Sequence, residues 1–382
     1  MASAPIPNIP NGGDFGDFID SDDECEVETD AEPRIRYWEG LYCPLYVGEV
    51  LDGRYRIEHK LGWGGFSTVW LAHDTQQNKA QGEHKRAMQD KIIRTVRDTS
   101  NLVTYPAFFR YPGQRGDYHT VFVFPLRGPN LDTACFNLPP KFRVPAAMPL
   151  LLSLKSLHDA GIVHRDLNSG AALWGIDFID DRPRKVLLAE DEGRPGELVE
   201  PISFPREMLR HPVCLCDFGL AIKSGTVVEN TAQLPPLLCA PERLHGINPS
   251  FASDMWSFTC IFAKIYLGVE IIWGEGSTPV SSIVNIVGPL PAHWKGHFGN
   301  GTAAKDWWYD QSGSMPLSKI LGGYETLEGK VDRLRPDICR DGREHALSIM
   351  KRGFSCSPER RITATQLLED PSFKALMSYY IP

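Results

Sequence analysis

The stretch of residues 162–173, IVHRDLNSGAAL, constrains the fold more than any other part of the chain. The residues before it are apolar at helical spacing from Leu150 to Leu157 and end at Gly161, a pattern typical of a helix C-terminus. The sequence therefore predicts a helix that leads directly into His-Arg-Asp. Asp166, held in that loop, is a candidate acceptor for the proton of a hydroxyl group.

A glycine cluster lies upstream, in GRYRIEHKLGWGGFSTVWLAHD at residues 53–74. The alternating polar and apolar residues around it predict two strands joined by a tight turn. Gly62, Gly64 and Val69 fit the pattern G-x-G-x-x-G-x-V, with Ser67 at the third glycine. Glycines let backbone N–H groups approach phosphates closely, although an ordinary β-hairpin satisfies the same pattern.

Four further motifs follow in the second half of the chain. CLCDFGLA at residues 214–221 presents Asp217 after an apolar strand, and CAPE ends at Glu242. Asp254 lies in SDMWSF, at the predicted start of a buried helix, and Arg361 lies in SPERRIT. Carboxylate oxygens suit Mg²⁺, so Asp217 is a candidate magnesium ligand.

The order and spacing of these motifs over residues 50–375 resemble those of the eukaryotic protein kinases. The resemblance implies an α+β, bilobal protein-kinase-like fold, with a small β-rich N-lobe and a larger α-helical C-lobe. It also implies that Asp166 is the catalytic base, that Asp217 binds Mg²⁺, and that Arg165 receives a phosphate on the activation segment. Asp254 is expected to hold the backbone of the catalytic loop.

The same resemblance implies an ion pair between Glu242 and Arg361 and a hinge that follows TVFVF. Phe124 then lies beside the nucleotide, and Arg127 supplies a backbone N–H to the adenine. The implied ATP-binding residues are Leu61, Gly62, Gly64, Val69, Lys85, Phe124 and Arg127.

Three features are similar to the SR-protein kinases, particularly their fungal relatives. They are KLGWGGFSTVWLAHD, a long insert before D-F-G, and IVGPLPAHW at residues 286–294. This resemblance implies transfer of the γ-phosphate of ATP, with Mg²⁺, to serine or threonine in proteins, including Arg/Ser-rich splicing factors.

The departures from the family pattern all affect the binding of ATP and its metal. The spacing from Val69 places His84 at the position of the family's β3 lysine, and Lys85 follows one residue later, on the opposite face of a strand. Asn168 replaces the lysine of the catalytic loop, and Ala171 replaces its metal-binding asparagine. Each loss removes a contact to the triphosphate or its metal, which puts both ATP and Mg²⁺ in doubt.

Two functions therefore compete. The first is a weak serine/threonine kinase that uses Asp166 with one metal on Asp217. The second is a pseudokinase, a binding or scaffold module that retains the fold. A small-molecule phosphotransferase is a third class, and the A-P-E motif, Asp254 and Arg361 speak against it because they serve a protein-substrate lobe.

Charge and composition define the predicted domains. Residues 1–36 contain ten acidic and two basic residues, which accounts for the whole net charge of −8 and predicts an acidic disordered tail. An N-lobe is expected over residues 37–126, and a C-lobe over 127–382 with a surface insert at 174–211. The nine cysteines show no zinc spacing, and no apolar run reaches the roughly 18 residues of a membrane span. We expect a cytoplasmic or nuclear monomer with a protein partner and no nucleic acid or membrane contact.

Overall fold

The computed structural model describes residues 32–33, 35–64, 67–75, 87–113, 116–132, 138–177, 205–231, 236–272, 278–299, 304–312 and 325–381. The chain divides into two compact units. The smaller contains Met1–Lys79, Phe109–Val121 and Arg182–Ile202, and the larger contains Ala80–Phe108, Phe122–Asp181 and Ser203–Pro382.

The smaller unit is built on an antiparallel sheet in the order β1-β2-β3. A short helix, α1 (Ile35–Trp38), precedes the strands β1 (Val50–Leu51), β2 (Tyr55–Gly64) and β3 (Ser67–Asp74). Gly64 pairs with Ser67 at the tip of the β2–β3 hairpin, so the predicted strand–turn–strand is confirmed.

Three two-stranded sheets follow. They are β4 (Ala107–Pro112) with β5 (Tyr118–Val123), β6 (Ile162–Val163) with β9 (Ile222–Lys223), and β7 (Ala172–Ile176) with β8 (Leu209–Leu215).

The remaining described helices belong to the larger unit. They are α2 (Ala87–Thr95), α3 (Pro140–Arg143), α4 (Ala147–Asp159), α5 (Pro241–Leu244), α6 (Phe251–Leu267), α7 (Thr278–Val287), α8 (Leu327–Leu334), α9 (Arg340–Gly353), α10 (Ala364–Glu369) and α11 (Pro371–Ser378). A β-rich smaller unit and a largely helical larger unit confirm the predicted α+β class.

Helices α4 and α6 form the centre of the larger unit's core. The four leucines of α4 that the sequence places at helical spacing are at most 1% exposed, and Gly161 closes the helix end with φ +73°. Helix α6 is buried from Ser253 to Leu267, on all sides rather than on one stripe, which is the pattern of a core helix. No described helix is long and apolar enough to cross a membrane.

The predicted insert 174–211 is wrong at both ends. Trp174 is fully buried in β7 and its ring packs 5.0 Å from Phe142 and 5.2 Å from His211. Strand β7 pairs with β8, which begins at Leu209, so both ends of the segment are sheet rather than surface loop. The polar composition between them hid these strand ends, and residues 178–204 lie outside the described residues.

The folded part of the chain begins before the predicted end of the acidic tail at residue 36. Residues 1–31, which contain nine of the ten acidic residues of the predicted tail, lie outside the described part of the chain. Glu32 is only 4% exposed, and α1 begins at Ile35.

Candidate active site

The catalytic loop is held from below by Asp254, near the start of α6. Its Oδ2 accepts a hydrogen bond from the backbone N–H of His164 at 2.7 Å, and its Oδ1 accepts one from Arg165 at 2.9 Å. Asp254 is 1% exposed, and His158 contacts it at 3.1 Å. A buried carboxylate that accepts charge-assisted bonds from two adjacent amides fixes the loop backbone, as the sequence predicted.

His164 joins this loop to the end of β8. Its Nε2 lies 3.0 Å from the carbonyl oxygen of Cys216, and its ring lies 5.5 Å from that of Phe218. The backbone N–H of Cys216 donates to the carbonyl of Ala171 at 2.8 Å. These contacts bring the Asp166 loop beside Asp217.

The surroundings of Asp166 disfavour its charged form. Burial raises the pKa of Asp166, the negative charge of Asp217 raises it further, and His164, Arg243 and Arg165 oppose the shift. Asp217 has a left-handed backbone with φ 60°, a conformation that is uncommon for residues other than glycine. A carboxylate with a raised pKa next to a second carboxylate is an arrangement expected of a catalytic acid–base pair.

Asn168 and Ala171 lie at the two loop positions where the family resemblance implies contacts to the triphosphate and its metal. The Asn168 amide donates from Nδ2 to the carbonyl of Asp166 at 3.0 Å, and its Oδ1 accepts the backbone N–H of Ala171 at 3.0 Å. Asn168 therefore caps its own loop. Ala171 is 2% exposed and its side chain has no donor atom for a metal. Among the described residues, no group of three or more His, Cys, Asp or Glu could hold a metal ion together.

Arg243 is a structural element of the site that the sequence reasoning missed. It is 2% exposed, and it donates from Nη1 to the carbonyl of Arg165 at 2.7 Å and from Nε to that of Thr231 at 2.6 Å. Arg165 in turn donates to the carbonyl of Asn230 at 2.9 Å. The two arginines therefore connect the catalytic loop to residues 230–231, which lie in the activation segment between D-F-G and A-P-E. The position of Arg243 directly after A-P-E was the available signal.

The predicted ion pair between Glu242 and Arg361 is confirmed. Arg361 donates from Nη1 and Nη2 to the two carboxylate oxygens at 2.6 and 2.8 Å, and both side chains are at most 1% exposed. Arg361 also binds the carbonyl of Ala252 at 2.7 Å and lies 5.0 Å from the centre of the Trp256 ring. Bidentate geometry with further hydrogen bonds is what a buried pair requires to offset its desolvation.

The predicted hinge follows β5. Phe124 is 43% exposed and its ring lies 6.2 Å from that of Phe122. Gly128 donates its N–H to the carbonyl of Trp174 at 2.8 Å, which fixes the hinge against β7. The Nε atom of Arg127 is buried and has no hydrogen-bond partner among the described residues.

The predicted glycine-loop residues lie together in the β2–β3 hairpin of the smaller unit. Gly62 pairs with Val69, and the register shifts at Leu61, between the pairs of Lys60 and Gly62. Val69 is 51% exposed. The structure thus gathers Leu61, Gly62, Gly64 and Val69 in one hairpin.

Two of the predicted positions, His84 and Lys85, lie outside the described residues. Helix α2 follows them along the chain, and its Asp90 accepts a hydrogen bond from the hydroxyl of Tyr105 at 2.6 Å. The neighbouring Gln89 has a buried Oε1 without a partner in the described part of the chain.

Comparison with known proteins agrees with this geometry. The family described as "Protein kinase domain" matches residues 198–373, which contain Asp217, Glu242, Asp254 and Arg361. The serine/threonine-protein kinase SRPK of Physarum polycephalum is 27% identical over 411 residues, covering 94% of this chain and 93% of its own length. The chain is therefore similar to the protein kinases, by the family match over residues 198–373 and by this relative over nearly its whole length.

Two further relatives are similar to parts of this chain. Protein kinase dsk1 of Schizosaccharomyces pombe is 31% identical over 239 residues, covering 54% of this chain and 41% of its own length. SRSF protein kinase 3 of Homo sapiens is 32% identical over 146 residues, covering 34% and 24%. Over these segments the chain is similar to the SR-protein kinases.

The larger unit also contains an acidic cavity that the sequence did not reveal. It has a volume of about 170 Å³ and is lined by Asp132, Asn168, Ser169, Leu237, Leu238 and Glu270. Lys264, 5% exposed, forms ion pairs with Asp132 and, at 2.6 Å, with Glu270. Two carboxylates around one buried lysine leave one net negative charge beside the catalytic loop.

Proposed function

We propose that the chain is a serine/threonine protein kinase with a reduced metal site, in which Asp166 is the base and Asp217 the metal ligand. The observation that supports this most is the surroundings of Asp166, whose loop is held by Asp254 and whose pKa is raised by burial and by the charge of Asp217. A base with a raised pKa takes up a proton more readily. The Asp254 contacts hold Asp166 in a loop that is already organised for this task.

The residues fit one magnesium ion rather than two. Mg²⁺ commonly binds through one or two carboxylates, while phosphates and waters complete the shell. Asp217 supplies such a carboxylate, whereas Ala171 offers no side-chain donor. Asn168 is bonded to its own loop at both polar atoms. A metal held on Asp217 would neutralise charge on the phosphates of ATP.

The reaction then follows from the chain's own groups. The substrate hydroxyl gives its proton to Asp166 while its oxygen forms a bond to the γ-phosphorus and the bond between that phosphorus and the β–γ bridging oxygen breaks. ADP leaves with the bridging oxygen. Arg165 and Arg243 keep the loop against the activation segment during this step.

The acidic cavity supports a substrate with arginine beside the target serine. Its net charge is negative, and Asn168 and Ser169 of the catalytic loop line it together with Asp132 and Glu270. A guanidinium group pairs well with carboxylates because its planar N–H donors match their oxygens. We therefore propose Arg/Ser-rich proteins as the substrate class.

One observation favours a binding module instead. Asn168 caps the loop that contains Ala171, so neither residue contacts the triphosphate or its metal. Losing one preorganised electrostatic contact costs about 2.7–4 kcal/mol of barrier, and several such losses leave turnover hard to detect. In that case the protein binds its partner through the same surfaces without phosphorylating it.

Phosphorylation of an Arg/Ser peptide tests the proposal. The wild type is expected to incorporate phosphate, Asp166→Ala is expected to abolish incorporation, and Ala171→Asn is expected to raise it up to about 100-fold by restoring a metal donor. The double variant Asp166→Ala/Ala171→Asn is the control and must be inactive. Equal incorporation by wild type and Asp166→Ala would refute the kinase, and no incorporation by the wild type or Ala171→Asn would favour the binding module.

A further inference from the structure

The segment that precedes the sheet contacts the β2–β3 hairpin of the smaller unit, which contains the glycine cluster. We call Glu32, Pro33 and residues 35–42 the N-terminal clasp. It meets strand β2 at two points, Lys60 before the register shift and Gly64 at the tip. The two points are four residues apart, or about 13 Å along a strand.

The first contact is a buried ion pair. Lys60 donates to the carboxylate of Glu32, and the side chains are 1% and 3% exposed. The hydroxyl of Tyr37 also donates to Glu32, at 2.7 Å, and the Lys60 ammonium lies 5.7 Å from the centre of the Trp70 ring. Burial raises the pKa of Glu32, but the hydrogen bonds from Lys60 and Tyr37 lower it more, so its pKa lies below the usual value. The carboxylate is therefore ionised and anchors the clasp.

The second contact lies in the glycine turn itself. Tyr42 is 2% exposed, and its hydroxyl donates to the carbonyl oxygen of Gly64. The Tyr42 ring packs edge-on against Tyr37 at 5.4 Å, which connects the two contacts. A hydrogen bond to this carbonyl restrains the backbone of Gly64 at the end of β2.

Gly62 and Gly64 have no side chains with which to support the hairpin. A Cβ atom added to either glycine would meet no atom of the described residues within 4 Å, so none of these residues packs closely against the two positions. Glycine also has more backbone freedom to lose than any other residue. A hydrogen bond from outside the hairpin therefore has a large share in ordering it.

We propose that Tyr42, anchored through the pair of Glu32 and Lys60, is a positioning residue that holds the glycine turn in the shape that binds the phosphates of ATP. This rests on the proposed function only in taking the hairpin as a phosphate-binding element. The clasp would act on the triphosphate and leave the adenosine moiety unaffected. Its loss should therefore appear in the affinity for ATP and not in that for adenosine.

Tyr42→Phe, which removes one hydroxyl and retains the ring, tests this by calorimetric titration with Mg-ATP and with adenosine. Loss of one hydrogen bond predicts about fivefold weaker ATP binding, equal adenosine binding and a kcat that changes less than the KM for ATP. Tyr46→Phe, at a tyrosine that is 66% exposed, is the matched control and should change neither affinity. Equal loss for both ligands, or no loss for ATP, would overturn the proposal.

Hydrogen exchange separates this proposal from the proposed function. Amides of residues 60–64 are expected to exchange faster in Tyr42→Phe than in wild type or Tyr46→Phe, with the larger unit unchanged. If wild type binds no ATP, the kinase proposal and the phosphate role of the clasp both fail, while faster exchange would still show the restraint on the hairpin. Unchanged exchange would show that the clasp does not hold the turn.

Discussion

At the scale of single residues, the candidate site places the proposed base, Asp166, near a carboxylate that disfavours its charge. Asp166 is partly buried near Asp217, and both effects raise its pKa. In the unfolded chain the carboxyl has its ordinary pKa of about 3.9. The folded protein therefore binds the proton more tightly, and folding loses stability as pH rises from the unfolded pKa through the folded one.

Asp166→Asn should consequently stabilise the protein at neutral pH, by on the order of 1 kcal/mol, because it removes the buried charge. The gain should be small below about pH 4 and grow as pH rises through the folded pKa of Asp166. Urea unfolding at several pH values measures it. Asp159→Asn is the control, since this exposed residue pairs with Lys155 and its loss should cost a few tenths of a kcal/mol. A gain that does not depend on pH would contradict the explanation.

The residues that sequence reasoning could predict were those with a fixed place in a motif. Asp254, Glu242 and Arg361 were assigned their partners correctly because each partner also belongs to a motif. The roles of Asn168 and Lys264 could not be predicted from the sequence, because the loop cap and the acidic cavity depend on which side chains the fold brings together. The raised pKa of Asp166 likewise depends on burial, which spacing does not reveal.

At the scale of elements, periodicity predicted the regular helices and strands correctly. Composition gave the wrong prediction at the ends of some of them. Helix α4 and the β2–β3 hairpin follow directly from the leucine spacing and the glycine cluster. The ends of the predicted insert are strands, because Trp174 belongs to the core although polar sequence follows it. The clasp was missed because Glu32 lies at the edge of a strongly acidic segment.

The Glu242–Arg361 pair joins α5 to the segment before α10 and is the strongest test at this scale. Arg361→Met should destabilise the fold by about 3–5 kcal/mol, since it leaves a carboxylate buried without its partner. Thermal or urea unfolding measures the loss. Arg360→Met, one residue away and exposed, should stay within about 0.5 kcal/mol. A small effect at Arg361 would mean that water reaches Glu242 when the arginine is removed.

At the scale of the whole molecule, the net negative charge is concentrated in the N-terminal tail, and the rest of the chain is nearly neutral. Residues 1–31 contain nine acidic residues and no Lys or Arg, so their removal changes the net charge from −8 to +1. A negative segment attracts a basic peptide over roughly a Debye length, about 8 Å at physiological ionic strength. For an Arg/Ser-rich substrate, the tail should therefore raise the rate of encounter without taking part in phosphate transfer.

Deletion of residues 1–31, which retains Glu32 and the clasp, should raise the KM for an Arg/Ser peptide several-fold at low salt and leave kcat unchanged. The difference should disappear near 1 M salt, where the Debye length falls to about 3 Å. A peptide with the same serine and glutamines in place of its arginines is the control, and the deletion should not affect its KM. If the deletion raises both KM values equally at every salt concentration, the tail acts by contact rather than by charge. If the protein binds both peptides without turnover, the same salt test applies to the binding module, and Kd is measured in place of KM.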